Sequence, residues 1–219
     1  MNEPSRVSER SGESEEHADT PPQTLRSAQG DNPISQVVQA DIAGFTAGWP
    51  LHQTPPLGSL LKVDEAGTIY AVVCNARTES IDGRPPVARL SGETDLESYL
   101  EKHPHLRHLL QTTCDAVVVG HQDGAQVHHY LPSAPAPLFA PVRVCSAEET
   151  ARFSQDLDFL NLLLAAPAHS DEMTAACLRR AAAAHDDARS FLVRAGKELA
   201  RLLGAEPQRL TSILRRVRP

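Results

Sequence analysis

Aromatic residues are scarce in this chain: five Phe, three Tyr and one Trp among 219 residues. A core must therefore be built mainly from Leu, Val and Ala. Positive charge is also short. Twenty-one Lys and Arg face 28 Asp and Glu, and the formal net charge of −7 disfavours whole-chain binding to nucleic acid by bulk electrostatics. No apolar run approaches membrane-spanning length, and the first residues carry no basic-then-apolar signal pattern. Cysteine is limited to Cys74, Cys114, Cys145 and Cys177, with no C-x-x-C pair. That spacing reads as four independent, mostly buried thiols in a reducing compartment, so the expected location is the cytoplasm. A P-loop is missing too. Nothing matches G-x-x-x-x-G-K-[ST], and the lone Gly196-Lys197 is followed by Glu198 inside a helical pattern, so ATP hydrolysis by this chain alone is not expected.

What charge there is lies unevenly. Glu3, Glu9, Glu13, Glu15, Glu16 and Asp19 make the start acidic, and residues 1–32 are rich in Ser, Glu, Pro, Gln and Asp. Such a segment buries too little surface to offset its ordering entropy and is expected to be a disordered acidic tail. At the other end Arg189, Arg194, Lys197, Arg201, Arg209, Arg215, Arg216 and Arg218 face only Glu198 and Glu206. This is either a basic surface with a partner or a solvated helix face helped by the C-terminal dipole.

Between these ends the pattern is first β, then α. A short β pattern spans Ile34 to Val38, and Phe45 to Trp49 forms another strand or a bulge. Gly58 to Asn75 reads as a hairpin entered through Pro55-Pro56, turning at Asp64-Glu65-Ala66-Gly67 and leaving through the β-branched run Thr68 to Val73. Arg77 to Pro86 reads as a polar loop around Asp82-Gly83. A helical insertion is expected near residues 94–111, opened by the capping box Thr94 to Glu97 and broken at Pro104. Strands resume from Thr113 to His121 and, after the Asp123-Gly124 turn, from Ala125 to Leu131. Pro132 to Pro141 reads as a spacer or a strap. Beyond Val144 a capping box at Ser146 and Glu149 opens helical periodicity. Phe153, Leu157, Leu160 and Leu164 mark one helix face, and three further helices cover Asp171 to His185, Phe191 to Leu202, and Pro207 onward. The expected class is α+β: a small closed β-barrel over residues 33–144 with a short helical insertion, then a C-terminal α-helical bundle over residues 145–219.

The entry Pro56-Leu57-Gly58-Ser59 with its hairpin, together with Ser80-Ile81-Asp82, resembles the HAS-barrel, the small N-terminal barrel of HerA-type DNA-translocating ATPases and of ATP synthase catalytic-core subunits. Phe153 to Leu160 behind such a barrel also looks like a group of bacterial HAS-barrel proteins with a helical tail and no ATPase domain. The resemblance implies that Pro56, Gly58, Ser59, Tyr70, Ile81 and Asp82 serve the fold or an interface. It further implies an assembly role, with a HerA-like ATPase ring or a NurA-like nuclease as protein partner, and leaves homo-oligomers open.

Other chemistry is sparse. His103, His105 and His108 lie close in sequence, as do His121, His128 and His129. Pro104 interrupts the first set and strand alternation splits His128 from His129, so no metal site and no cofactor are expected. Asp156 and Asp158 cannot share a helix face; Asp158 is the one expected to cap or to pair with a barrel residue, and Asp186-Asp187 to open or solvate a helix. No Ser/His/Asp or Cys/His spacing demands catalysis, so a non-enzyme is expected. Two functions follow. The first is a non-catalytic accessory subunit whose barrel binds the ATPase ring or its nuclease in DNA processing. The alternative is direct nucleic-acid binding by the basic C-terminal helices, with Arg209, Arg215, Arg216 and Arg218 touching a partner or phosphates.

Overall fold

A computed structural model of the chain describes residues 35–65, 67–83, 95–166 and 170–217. The acidic tail, Ile34, Thr94 and Arg218 lie outside them. The strands are β1 (Ser35–Ala40), β2 (Gly44–Trp49), β3 (Leu60–Asp64), β4 (Thr68–Ser80), β5 (Leu110–Asp123), β6 (Gln126–His128) and β7 (Pro141–Val144). Six of them close a fully antiparallel barrel in the order β1-β2-β5-β4-β3-β7, with β7 returning to β1. Short β6 pairs only with the far end of β5, beyond the reach of β2. Closure leaves few open edges on the barrel itself.

Strand alternation explains the continuous apolar runs. Leu61 and Val63, then Ile69, Ala71 and Val73, then Cys114, Ala116 and Val118 fill the barrel. Between them Leu60, Tyr70, Val72 and Val119 face outward and share a second core with the helices. β3, β4 and β5 are thus buried on both faces over half their length. Residues 132–140 form a strap rather than a free spacer. Val37 N–H donates to the Ala140 carbonyl at 3.0 Å, and Phe139 N–H donates to the Val37 carbonyl at 2.8 Å. Ala136 and Ala140 reach into the barrel core.

The insertion between β4 and β5 contains α1 (Leu96–Lys102) and α2 (Leu106–Leu109), separated at Pro104. The cap of α1 falls one residue later than the sequence pattern implies: Asp95 accepts from Ser98 N–H. The loop expected from Arg77 begins only after Ser80, because Arg77 to Ser80 continue β4 in register with Leu110 to Thr113. Cross-strand pairs such as Thr78 with Thr112, hydroxyl to hydroxyl at 2.8 Å, hold this polar extension together.

The C-terminal helices are α3 (Ala147–Phe153), α4 (Leu160–Ala165), α5 (Ser170–Ala184), α6 (Ala188–Leu202) and α7 (Pro207–Val217). The capping box of α3 is present in both directions between Ser146 and Glu149. The single helix implied by Phe153, Leu157, Leu160 and Leu164 is broken into α3 and α4. Ser154 Oγ donates back to the Thr150 carbonyl at 2.7 Å, and Asp156 Oδ1 accepts from Asp158 N–H at 3.0 Å. Short polar side chains here supply alternatives to the helical ladder. Helix α5 sits at the centre, against α3, α4, α6, α7 and β4. Its many alanines follow from that position, because neighbours approach it from all sides.

Candidate functional site at the barrel–bundle junction

The motif entering β3 lies where the barrel meets α5. Ser59 N–H donates to the Pro56 carbonyl at 3.1 Å, closing a turn. Gly58 N–H donates to the Val73 carbonyl at 2.9 Å, and Val73 N–H donates to the Ser59 carbonyl at 3.0 Å. Gly58 has φ +78°, and a Cβ there would lie 2.5 Å from the Ala176 carbonyl carbon and also against Cys177 N. Only glycine allows both that backbone conformation and that approach. Arg180 of α5 seals the contact by donating Nε–H to the Leu57 carbonyl at 3.0 Å. Tyr70 is buried in the same junction, its ring centroid 4.8 Å from that of Phe153 and its hydroxyl donating to Gln122 Oε1 at 3.0 Å. Ile81 and Asp82 are elsewhere, at the far end of β4, where Ile81 N–H donates to the Leu109 carbonyl and Asp82 accepts from Ser80 Oγ.

Beside the motif is a cavity of about 210 Å³ between the barrel and helices α3 and α5. Leu60, Phe153, Phe159 and Ala181 supply apolar wall, and Ser59, Thr150, Ser154 and Arg180 supply polar groups. Cys145 and Cys177 also line it, and burial pushes both thiols up to about 12, so they are neutral and unreactive at physiological pH. Ser154 Oγ lies 2.9 Å from His185 Nε2. Nothing in the sequence marks this pair, 31 residues apart. The same hydroxyl lies 2.7 Å from the Thr150 carbonyl, so it can donate either back along α3 or to His185. On the same side Lys62 is buried and ion-paired to Glu149 and Asp64, and Arg143 also pairs with Asp64. This latch ties β3 and β7 to the first turn of α3.

The histidines separate by face. His121, His128 and Tyr130 form an aromatic cluster with ring centroids 5.0–5.2 Å apart. His129 turns the other way, its side chain only 8% exposed, against Phe153 and Phe159. Asp156, not Asp158, is the carboxylate beside it, with Oδ1 3.8 Å from Nδ1. Burial holds the His129 pKa below the ordinary histidine value against the pull of Asp156 and Asp158. His103 and His105 approach each other on the insertion, at 5.9 Å between rings. Among the described residues no group of three or more His, Cys, Asp or Glu is arranged to hold a metal ion.

No protein-family model matches the chain, and no curated protein matches it. The basic end must therefore be judged on its own contacts. Arg209 is engaged within the bundle: Nε–H donates to Asp171 at 2.7 Å, and Nη2 donates to the Leu164 carbonyl and Ser170 Oγ at 2.9 Å each. Arg216 pairs with Glu172 and donates to the Ser212 carbonyl. Arg215 is exposed on α7 and has no ion pair or side-chain hydrogen bond among the described residues. Asp187 caps α6 by accepting from Ser190 N–H at 2.9 Å, using the same Asp-x-x-Ser arrangement as Asp95 and Ser98.

Proposed function

We propose that this protein is a non-catalytic assembly subunit whose HAS-like barrel docks on a HerA-type DNA-translocating ATPase ring or on the NurA-like nuclease that works with it. The motif residues Gly58 and Ser59 are covered by the chain's own α5, so docking uses another side of the barrel. The observation that carries the reading is an uncovered apolar patch where the strap meets β1. Phe139 is 73% exposed and held at φ +65°, a conformation unfavourable for any residue with a Cβ. Leu138 beside it and Val38, at the irregularity in β1, are also exposed. Helices α4 and α5 pack on β5 and β4, and among the described residues Phe139, Leu138 and Val38 stay exposed for a partner. Three neighbouring apolar side chains of this size suit the centre of a protein interface, with a polar rim around them.

Co-purification with the host's HerA-like ATPase, with and without nucleotide, tests the proposal. Association that survives moderate salt and is lost on Phe139→Ser is expected. Failure to associate at low salt in every nucleotide state contradicts it. Direct nucleic-acid binding draws on fewer free cations than the basic composition implies, because Arg209 and Arg216 are already committed to carboxylates. That reading requires retention on DNA with steep salt dependence, weakened by Arg215→Ala.

A further inference from the structure

We propose that the junction cavity binds a small monocarboxylate with a compact apolar body. Its size is the first argument. A cavity near 150 Å³ with apolar walls accommodates benzene, so about 210 Å³ leaves room for a ring with a short chain. The second is an unpartnered polar group. Ser59 lines the cavity, and its hydroxyl makes no hydrogen bond among the described residues. That hydroxyl is free to donate to a bound acceptor. The third is charge. Arg180 stands at the rim with Nε committed to the Leu57 carbonyl, and its two terminal nitrogens have no partner among the described residues. The Leu57 contact fixes the guanidinium in place, so it meets an incoming carboxylate with little loss of side-chain freedom.

Arg180 and Ser59 supply polar contacts to the site, and the rings of Phe153 and Phe159 supply apolar wall. A carboxylate accepts from Arg180 and Ser59 while an aromatic or branched body fills the space against the phenyl rings. Both cysteines in the wall are neutral, so nothing there repels the anion. This inference is independent of the assembly role, since no residue of the strap lines the cavity.

The test is an NMR titration of the full chain with 3-phenylpropanoate and, separately, with 3-phenylpropanamide. Saturable shifts confined to residues 58–60, 145 and 177–184 are expected, with the amide binding about tenfold more weakly than the acid. Arg180→Gln should abolish the discrimination between acid and amide while leaving the amide's affinity unchanged, a result that mere loosening of the junction would not produce. Ala183→Leu, at an exposed position of the cavity lining, should weaken both ligands without lowering the melting temperature. Absence of saturable shifts up to about 10 mM, well beyond what a ligand of this size needs in a matched site, overturns the proposal. So does equal binding of acid and amide, or discrimination that persists in Arg180→Gln.

Discussion

Gly58→Ala is expected to be among the most damaging single-methyl additions in the protein. Two separate costs arise from the geometry. At φ +78° an L residue is disfavoured by about 1 kcal/mol. The new Cβ would also lie 2.5 Å from the Ala176 carbonyl carbon and 2.7 Å from Ala176 Cβ. These atoms belong to the backbone and the shortest side chain of a central helix, so none can swing aside. Displacing α5 in a packed core costs about 1–3 kcal/mol more. The sum, about 2–4 kcal/mol, corresponds to a fall in melting temperature of about 5–15 °C for a chain of this size. Gly124→Ala is the control. Gly124 also has positive φ, +57°, but nothing lies within 4 Å of its Cβ position, so only the conformational part applies. Urea unfolding followed by circular dichroism, with calorimetry alongside, measures both variants. A Gly58→Ala variant no less stable than Gly124→Ala would refute the view that this motif is a tight joint between barrel and helix.

Other outcomes follow from the same contacts. The pKa of His129 is lowered in the native state, so the unfolded chain binds a proton there first as pH falls. Its contribution to stability is complete above about pH 6.5 and declines below it, with a slope of at most about 1.4 kcal/mol per pH unit. His129→Leu should flatten that part of the profile measured by urea unfolding, and an unchanged profile would contradict the assignment. Arg209→Ala should cost about 1–3 kcal/mol because three bonds between α7 and the α4–α5 region are lost, while Arg215→Ala stays within about 0.5 kcal/mol. Equal effects in chemical denaturation would show that these arginines are not divided as described. With thiols pushed up to about 11 at Cys114 and about 12 at Cys145 and Cys177, Ellman's reagent at neutral pH should modify Cys74 first and the other three only on denaturation. Rapid modification of all four would mean that the junction opens readily.

The closed barrel and following helices were legible because strand alternation, turns and capping boxes are local signals. Asp123-Gly124 and the Ser146–Glu149 box needed no tertiary information. The split of the first C-terminal helix was hidden by a convincing apolar stripe. The hydroxyl of Ser154 and the carboxylate of Asp156 won locally against a period that spans both halves. The longer reach of β4 was obscured because Arg77, Thr78 and Glu79 are polar, and their strand character comes from pairing with β5. Burial of β3, β4 and β5 on two faces was readable in principle from runs such as Leu60 to Val63 and Tyr70 to Val73. The cavity was not. Ser59, Ser154 and Arg180 line one cavity because Gly58 lets α5 approach the barrel. The same limit applies to the basic end, where pairing to Asp171 and Glu172 separates the engaged arginines from Arg215.

The barrel joins its own helices through the Pro56–Ser59 motif, and the proposed partner docks on β1 and the strap. Amide hydrogen exchange on the complex with the host's HerA-like ATPase tests this most directly. Slowed exchange over residues 36–39 and 137–140 is expected on complex formation, with no change over residues 57–60. Protection of the motif with none at the strap, or no protection anywhere in the barrel, would contradict it.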